Sequence, residues 1–201
     1  MALTKAQLFT LIGTNLPDNN TGAITPAKVR EVATQTADSM LYAVKEVEVL
    51  RAPSTVIQAP TALDTALQVT FGAAQKSASD PVMLNAAGLI TFNTAGVYAV
   101  RVKLENGRVV SIGTSILMSR LLKNGAAYGS PAAVKLTSSD ETVPTDSRVI
   151  IDAAAGDTLV VQIMRDSAGT NFGGLYPQVA VVTAWGKVPS ALLVVSRLEA
   201  A

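Results

Sequence analysis

Carboxylate side chains are the groups of this sequence most able to do chemistry, because the usual nucleophiles and bases are missing. The 201 residues include no cysteine and no histidine. This excludes Ser-His-Asp and Cys-His arrangements, zinc–thiolate centres and the usual general base near neutral pH. Chemistry would have to rest on carboxylates, lysine or tyrosine.

The carboxylates that could act as a pair lie in the second half of the chain. They are Asp140, Glu141, Asp146, Asp152, Asp157 and Asp166. A glycan-cleaving enzyme needs two carboxylates about 5–9.5 Å apart across a groove, but these residues stand beside turn residues, where Asp hydrogen-bonds to the local backbone. No Asp-x-Asp-x-Asp-Gly calcium loop is present. We therefore predict a protein that is not an enzyme, with no metal and no cofactor, and glycoside hydrolysis remains the rival interpretation.

The composition indicates a folded protein that assembles. Hydrophobic residues make up 49% and charged residues 15%, with a net charge of +1. A low charge density is typical of surfaces covered by neighbours, although a high alanine and valine content would give the same value. The near-zero net charge gives no reason to expect nucleic acid as a partner. The densest basic group, Arg101, Lys103 and Arg108, is interpreted as a solvated strand face.

The N-terminal residues 1–45 are predicted to form a two-helix anchor. Thr4 and Gln7 suit the start of a first helix, and Thr25 followed by Pro26 suits the start of a second that runs to about Val44. The second helix carries a narrow apolar stripe, formed mainly by Val29, Val32, Thr36 and Met40. Such a stripe packs either within its own chain or in a short intersubunit bundle.

After residue 45 the pattern changes from helical to alternating. We predict a linker with short strands at 46–60, the strands being 46–49 and 54–58, and a β domain at 61–201. The predicted strands of that domain are 67–71, 81–84, 88–92, 96–104, 115–123, 132–136, 148–152, 158–165, 178–185 and 191–196. Short strands separated by Gly, Asn, Asp and Ser turns are typical of a sandwich or barrel. The apolar run Ala191-Leu192-Leu193-Val194-Val195 should pair with its own sheet, a neighbouring subunit or another protein.

Three segments of the β domain resemble a known family. They are Phe92 followed by Ala95-Gly96-Val97-Tyr98, the hairpin signal Lys123-Asn124-Gly125, and Ala155-Gly156-Asp157 before an apolar strand. In this order they look like the jelly roll of complement globular heads and tumour necrosis factor, over about residues 88–185. The resemblance implies an antiparallel jelly-roll β-sandwich that associates as a homotrimer.

The N-terminal segment carries a second resemblance. Residues 3–8, 15–30 and 38–40 look like the opening of many tailed-bacteriophage structural proteins, including fibre and head-appendage proteins. In those proteins the segment precedes unrelated distal domains, so the resemblance implies docking on capsid or tail proteins. The alternative interpretation is a helical hairpin with capped ends, which accounts for the same residues without a relationship to phage proteins.

Together these features predict a structural virion protein, a trimeric capsid- or tail-attached fibre or decoration protein made in the host cytoplasm. The alternative is a fibre tip that recognises host-surface glycan through loops near Asn124, Tyr128, Asn171 and Tyr176. Aromatic residues are only 4% of the chain, and Phe172 and Trp185 are expected to be buried. No apolar run approaches membrane-spanning length, so no membrane insertion is expected.

Overall fold

The computed structural model describes residues 26–41, 45–75, 81–108, 113–138, 141–168, 173–179 and 186–199, with Gln7, Thr10, Ile12, Thr14 and Ala184. The chain divides into two compact units. One consists of Met1–Val47 with Leu198–Ala201, and the other is Glu48–Arg197.

The first unit contains the helix α1 (Pro26–Leu41). It begins at Pro26, as predicted, because proline lacks only an N–H that the first turn would leave unpaired. Of the predicted first helix, residues 3–12, the structure describes Gln7, Thr10 and Ile12, each in helical conformation, and Thr14, where the sequence predicts a loop, is helical as well. Thr14 Oγ1 donates to the carbonyl oxygen of Thr10 at 2.9 Å, the four-residue step of a helix. The rest of that helix lies outside the described residues.

The strands fall into two antiparallel sheets and one small hairpin. Their bounds are β1 (Lys45–Ser54), β2 (Leu67–Gln68), β3 (Val82–Leu84), β4 (Ile90–Phe92), β5 (Gly96–Arg108), β6 (Ser115–Lys123), β7 (Ala126–Leu136), β8 (Thr142–Ala153), β9 (Thr158–Arg165), β10 (Gly173–Leu175), β11 (Gln178–Val179), β12 (Lys187–Val188) and β13 (Ala191–Glu199). Sheet I has the order β1-β13-β5, with β8 and β10 also paired to β5. Sheet II has the order β3-β4-β9-β6-β7, with β2 paired to β9.

The principal strands are nested pairs, which defines the fold as a jelly roll. The innermost pair is the hairpin β6–β7, and β5–β8, β4–β9 and β1–β13 enclose it in turn. Successive pairs alternate between the two sheets. This is the wrapping of a double Greek key, so the antiparallel jelly-roll sandwich predicted from the sequence is confirmed.

The core lies between the two sheets and contains side chains from both. Along β5 the even-numbered residues Tyr98, Val100, Val102 and Leu104 are at most 4% exposed. They share one cluster with side chains of sheet II, such as Phe92. The Phe92 and Tyr98 rings lie 4.8 Å apart, and the Tyr98 hydroxyl donates to the carbonyl oxygen of Thr94 at 2.7 Å. A large aromatic side chain is thus buried with its polar atom satisfied.

The region where the sequence predicts a linker contains most of β1. The strand is continuous through Pro53, and its Leu50 and Ala52 are fully buried in the core. Proline is tolerated there because β1 lies at the edge of its sheet. The Pro53 carbonyl still accepts a hydrogen bond from the N–H of Gly72 at 3.0 Å. Pro53 and Pro60 therefore do not mark the N-terminal boundary of the β domain, because β1 begins before both of them.

The apolar terminal strand pairs with its own sheet. β13 lies between β1 and β5, with Ala191, Leu193 and Val195 at 0% exposure. It is the last member of the nested pairs rather than an addition to the fold. Of the three partners expected from the sequence, its own sheet, a neighbouring subunit or another protein, the first is the one observed.

Two of the three segments that carry the family resemblance are locked together by one hydrogen-bond network. Asn124 and Gly125 have φ angles of 52° and 79°, as a two-residue hairpin requires. The Asn124 side chain accepts from the Thr158 N–H at 2.7 Å and donates to Asp157 Oδ1 at 2.8 Å. Lys123 Nζ lies 2.9 Å from Asp157 Oδ2, which also accepts from the Ala154 N–H at 2.9 Å. Asp157 thereby joins the β6–β7 hairpin to the β8–β9 turn.

Asp157 makes the stability of the sandwich depend on pH. Hydrogen bonds from Lys123, Asn124 and the Ala154 N–H lower the pKa of Asp157 from 3.8 to about 2. The folded state therefore favours the ionised carboxylate, so this contribution is present above about pH 4 and is lost as the pH falls towards 2. We expect the free energy of unfolding of Asp157→Asn to change less between about pH 4 and pH 2 than that of the wild type. Urea denaturation at several pH values measures this difference. A variant that keeps the full wild-type pH dependence would contradict this role.

Leu193 tests whether β13 belongs to the core. Leu193→Ala should lower the free energy of unfolding by about 2–5 kcal/mol, because it removes a fully buried side chain. Met83→Ala is the control, since Met83 on β3 is 42% exposed and its replacement should change stability by less than about 1 kcal/mol. Denaturant titration of both variants measures the difference. Equal effects would show that β13 is not a core strand.

Candidate functional site

The predicted helical stripe is only partly described. Val29 and Val32 lie on α1, where Val29 is 47% exposed and Val32 is half-buried. Thr36 and Met40 belong to the same helix, but their side chains lie outside the described residues. The exposed Val29 leaves apolar surface available on α1. Whether the stripe pairs between subunits stays a prediction.

The described members of the predicted ligand-facing set, Asn124, Tyr128 and Tyr176, do not form one surface. Asn124 lies beside the turn that precedes Thr158, and Lys123 next to it donates to the carbonyl of Asp152, near the start of β5. Tyr176 lies at the other end of β5, where its N–H donates to the Glu105 carbonyl at 3.0 Å. Because a strand rises about 3.3 Å per residue, the end of β5 near Asn124 and the end near Tyr176 lie roughly 30 Å apart. Asn171, like Phe172 and Trp185, lies outside the described residues.

Tyr128 and Tyr176 are both half-buried, which limits them as stacking platforms. The Tyr128 hydroxyl donates to the Ile150 carbonyl at 3.0 Å, which links β7 to β8. The Tyr176 ring packs over Gly107, where an added Cβ would lie 3.2 Å from its Cδ2 atom. Burial raises the pKa of Tyr176. Both rings therefore serve packing within the sandwich.

Most of the candidate catalytic carboxylates have local partners. Asp146 pairs with Arg101, whose hydrogen bonds lower the pKa of Asp146. Glu141 accepts from the N–H groups of Thr137 and Ser138 at 2.8 and 3.0 Å, and these bonds lower its pKa. Asp166 accepts from the N–H of Ala168 at 2.7 Å. Glu141 and Asp166 make the local backbone contacts that the sequence predicts for acidic residues beside turns. Asp146 does not, because it lies within β8 and pairs across the sheet with Arg101, while Asp140 lies outside the described residues.

Arg108 corrects the interpretation of the basic group. It is 2% exposed, not solvated, and its guanidinium donates to the carbonyls of Ser138, Thr137 and Leu136 at 2.6, 3.1 and 3.4 Å. It also bonds the Gly113 carbonyl. The reason is that β5 is covered on both sides at this end, where residues 104–108 are all buried, whereas Arg101 is exposed and Lys103 is half-buried. Arg108 thus holds the segments around residues 113 and 138 together.

The outward face of sheet I is the candidate functional surface. Val97 on β5 alternates with the buried Tyr98, and Ile150 on β8 is the cross-strand partner of Ala99, whose small side chain on the same face is only 3% exposed. Val97 is 38% exposed and Ile150 is 45% exposed. On β13, Leu192 and Val194 alternate with the buried Leu193 and are half-buried. We call these five residues the apolar face.

Ion pairs border the apolar face on the same side of the sheet. Arg101 Nε lies 2.8 Å from Asp146 Oδ1, and Lys103 Nζ lies 2.8 Å from Glu105 Oε1. Arg148 is the cross-strand partner of Arg101 and is exposed. Charged residues also lie among the aliphatic ones, because the exposed Asp152 is the cross-strand partner of Val97.

The sequence analysis did not single out this face, although a signal was present. Alternation along the predicted strand 96–104 places Tyr98, Val100 and Val102 on one side, so Val97 and Ala99 share the opposite side with Arg101. A face that includes a charged residue is expected to meet solvent, which holds for Val97, although Ala99 is only 3% exposed. The partner residue Ile150 could not be found in this way, because its position depends on the register between β5 and β8.

No group of three or more acidic residues in the described part of the chain could hold a metal ion. No described helix is long and apolar enough to cross a membrane.

Comparisons with known proteins concern the fold alone. No family model and no curated protein matches the chain. Among solved structures, the globular domain of the zebrafish complement 1qA protein is 13% identical, covering 73% of this chain and 93% of that one, with a TM-score of 0.40. Eiger TNF from S. frugiperda is 16% identical, covering 78% and 94%, with a TM-score of 0.42. Murine APRIL at pH 8.5 is 13% identical, covering 76% and 99%, with a TM-score of 0.43. Similarity at this level indicates no function, and the jelly roll is defined by the strand order of the chain itself.

Proposed function

We propose that the protein is a non-enzymatic appendage subunit of a tailed-phage virion. It forms a homotrimer through the outward face of sheet I, and residues 1–45 attach it to capsid or tail proteins. The observation that carries the proposal is the apolar face, where Val97 and Ile150 are exposed on strands whose other side forms the core.

The apolar face supports association because its burial removes aliphatic surface from water. Each Å² of apolar surface buried contributes about 25 cal/mol. Val97 and Ile150 are the side chains of this face that a single sandwich leaves most exposed. The charged border at Arg101 and Asp146 remains solvated and orients the subunits, as polar rims do in other interfaces. In a monomer these aliphatic side chains stay in contact with water, whereas association of subunits would bury them.

The threefold symmetry and the virion location rest on the two sequence resemblances. The order of the Ala-Gly-Val-Tyr, Lys-Asn-Gly and Ala-Gly-Asp motifs resembles jelly rolls that associate as trimers. Residues 3–8, 15–30 and 38–40 resemble the attachment segments of tailed-phage structural proteins. The helix that begins at Pro26 agrees with a folded attachment segment.

The alternative function is a fibre tip that binds host-surface glycan through the predicted loops. The described residues give those loops little support. The side chain of Asn124 is used in the turn network, and Tyr128 and Tyr176 pack within the sandwich. The structural role therefore ranks above recognition at these loops.

Ile150 tests the association surface. Light scattering should find a trimer for the wild type and a monomer for Ile150→Asp, because the substitution places a charge in the middle of the apolar face. Met83→Asp is the matched control, since it puts the same charge at a 42% exposed position of sheet II, and it should remain trimeric. A monomeric wild type, or a trimeric Ile150→Asp, would contradict the proposed interface.

Removal of residues 1–44 tests the attachment segment. The remaining chain contains the whole compact unit Glu48–Arg197, so it should give the circular dichroism spectrum and the cooperative melting of a folded β-sandwich. It should fail to join virions when it replaces the full chain during infection, as measured by mass spectrometry of purified particles. Incorporation at the full-chain level would show that attachment lies elsewhere.

A further inference from the structure

The outer face of sheet II contains a groove that the proposed function does not use. It has a volume of about 380 Å³, at the lower end of the range for small-ligand sites. It lies on the sheet opposite the apolar face. Its lining includes Met118, Met164, Pro131, Asp64, Arg120 and Gln162.

An irregularity in strand pairing forms one wall of the groove. β6 and β7 are in register up to the pair Ser119 and Ala132, and pairing resumes at Leu121 and Tyr128. Between these pairs Arg120 alone faces the three residues 129–131. Gly129 has a φ of +72°, which favours glycine, and Pro131 has no N–H that could donate a hydrogen bond to a neighbouring strand. The edge strand therefore bulges at this point, and a bulge of this kind redirects side chains beside binding sites.

The floor of the groove is apolar. Met118 and Met164 are cross-strand partners on β6 and β9. Their neighbours Leu117 and Ile163 are each 1% exposed and point into the core, so the two methionines face outwards. Thioether side chains adapt to an irregular apolar surface and can follow the C–H face of a bound ring.

The polar groups around this floor are a cation and a carboxylate with free hydrogen-bonding capacity. Arg120 Nε donates to Gln162 Oε1 at 3.0 Å, and its Nη atoms have no other partner among the described residues. Asp64 has a φ of 54° and is fixed by its N–H, which donates to the Arg165 carbonyl at 2.8 Å. Asp64 Oδ1 accepts from the Ser167 N–H at 2.9 Å, and Oδ2 has no partner within the described part of the chain. A strained non-glycine residue held at a groove is a frequent feature of ligand sites.

We propose that this groove binds an acidic sugar, a pyranose ring that carries a carboxylate. The guanidinium of Arg120 pairs with the carboxylate, and Asp64 accepts from ring hydroxyls. The C–H face of the ring packs on Met118 and Met164. An acidic peptide fits less well, because Asp64 would repel further carboxylates and a single cation lines the groove. This site goes beyond the structural function, and it does not depend on trimer formation.

Titration of the full chain with small sugars tests the proposal. The probes are methyl glucuronide and N-acetylneuraminic acid, with methyl glucoside as the neutral control, and binding is followed by NMR chemical shifts. At least one acidic sugar should bind, and the neutral sugar should bind at least about tenfold more weakly, because a charge-assisted hydrogen bond is lost. Absence of binding by both acidic sugars, or equal binding of the neutral sugar, would overturn the proposal.

Arg120→Gln locates the site. It should weaken binding of the acidic sugar by at least about tenfold while leaving the melting temperature and the oligomeric state unchanged. Lys135→Gln removes the same charge from an exposed position on β7 outside the groove and should bind as the wild type does. An Arg120→Gln variant with wild-type affinity would overturn the assignment, as would equally tight binding of an acidic dipeptide. The oligomeric state, measured on the same samples, tests the trimer separately.

Discussion

The insertion of β13 between β1 and β5 is the constraint on which the rest of the sandwich depends. Sheet I cannot be complete until a strand from the end of the domain pairs with one from its beginning. Such contacts require closure of a long loop before any stabilisation is gained, so folding should be slow compared with that of helical proteins. The buried Leu193 and Val195 supply much of the apolar contact that offsets this loss of chain entropy. β13 also contributes Leu192 and Val194 to the outward face, so the core and the proposed association surface form together.

Alternation along the strands gives the two sheets different outer surfaces. On sheet I the residues outside the core include exposed aliphatic side chains with charged residues beside them. On sheet II they form a groove with a methionine floor and a guanidinium at its margin. The same backbone rule that buries Tyr98 and Leu117 therefore leaves Val97 exposed and Met118 half-buried on the outer surfaces. The proposed association surface and the proposed ligand groove thus lie on opposite sides of one core and do not compete for the same residues.

Local patterns predicted the parts of the fold that local chemistry determines. The bounds of β6 and β9 agree with the sequence prediction, because alternation and turn residues mark both ends, and Asn124-Gly125 specifies its hairpin directly. The course of β1 through Pro53 could not be predicted, since tolerance of proline depends on β1 being at an edge. Burial of Arg108 required carbonyl partners from residues distant in sequence. The groove around Arg120 was missed for the same reason, because it depends on the register between β6 and β7.

The bulge at residues 129–131 also affects solubility. β7 is an edge strand of sheet II, and a regular edge offers a row of free N–H and C=O groups to strands of other molecules. Pro131 interrupts that row, and the displaced backbone at Gly129 prevents a foreign strand from pairing along the whole of β7. Deletion of two residues here would straighten the edge and flatten the groove together. The irregularity thus keeps an alanine-rich strand from acting as a template for aggregation while it shapes a surface for a ligand.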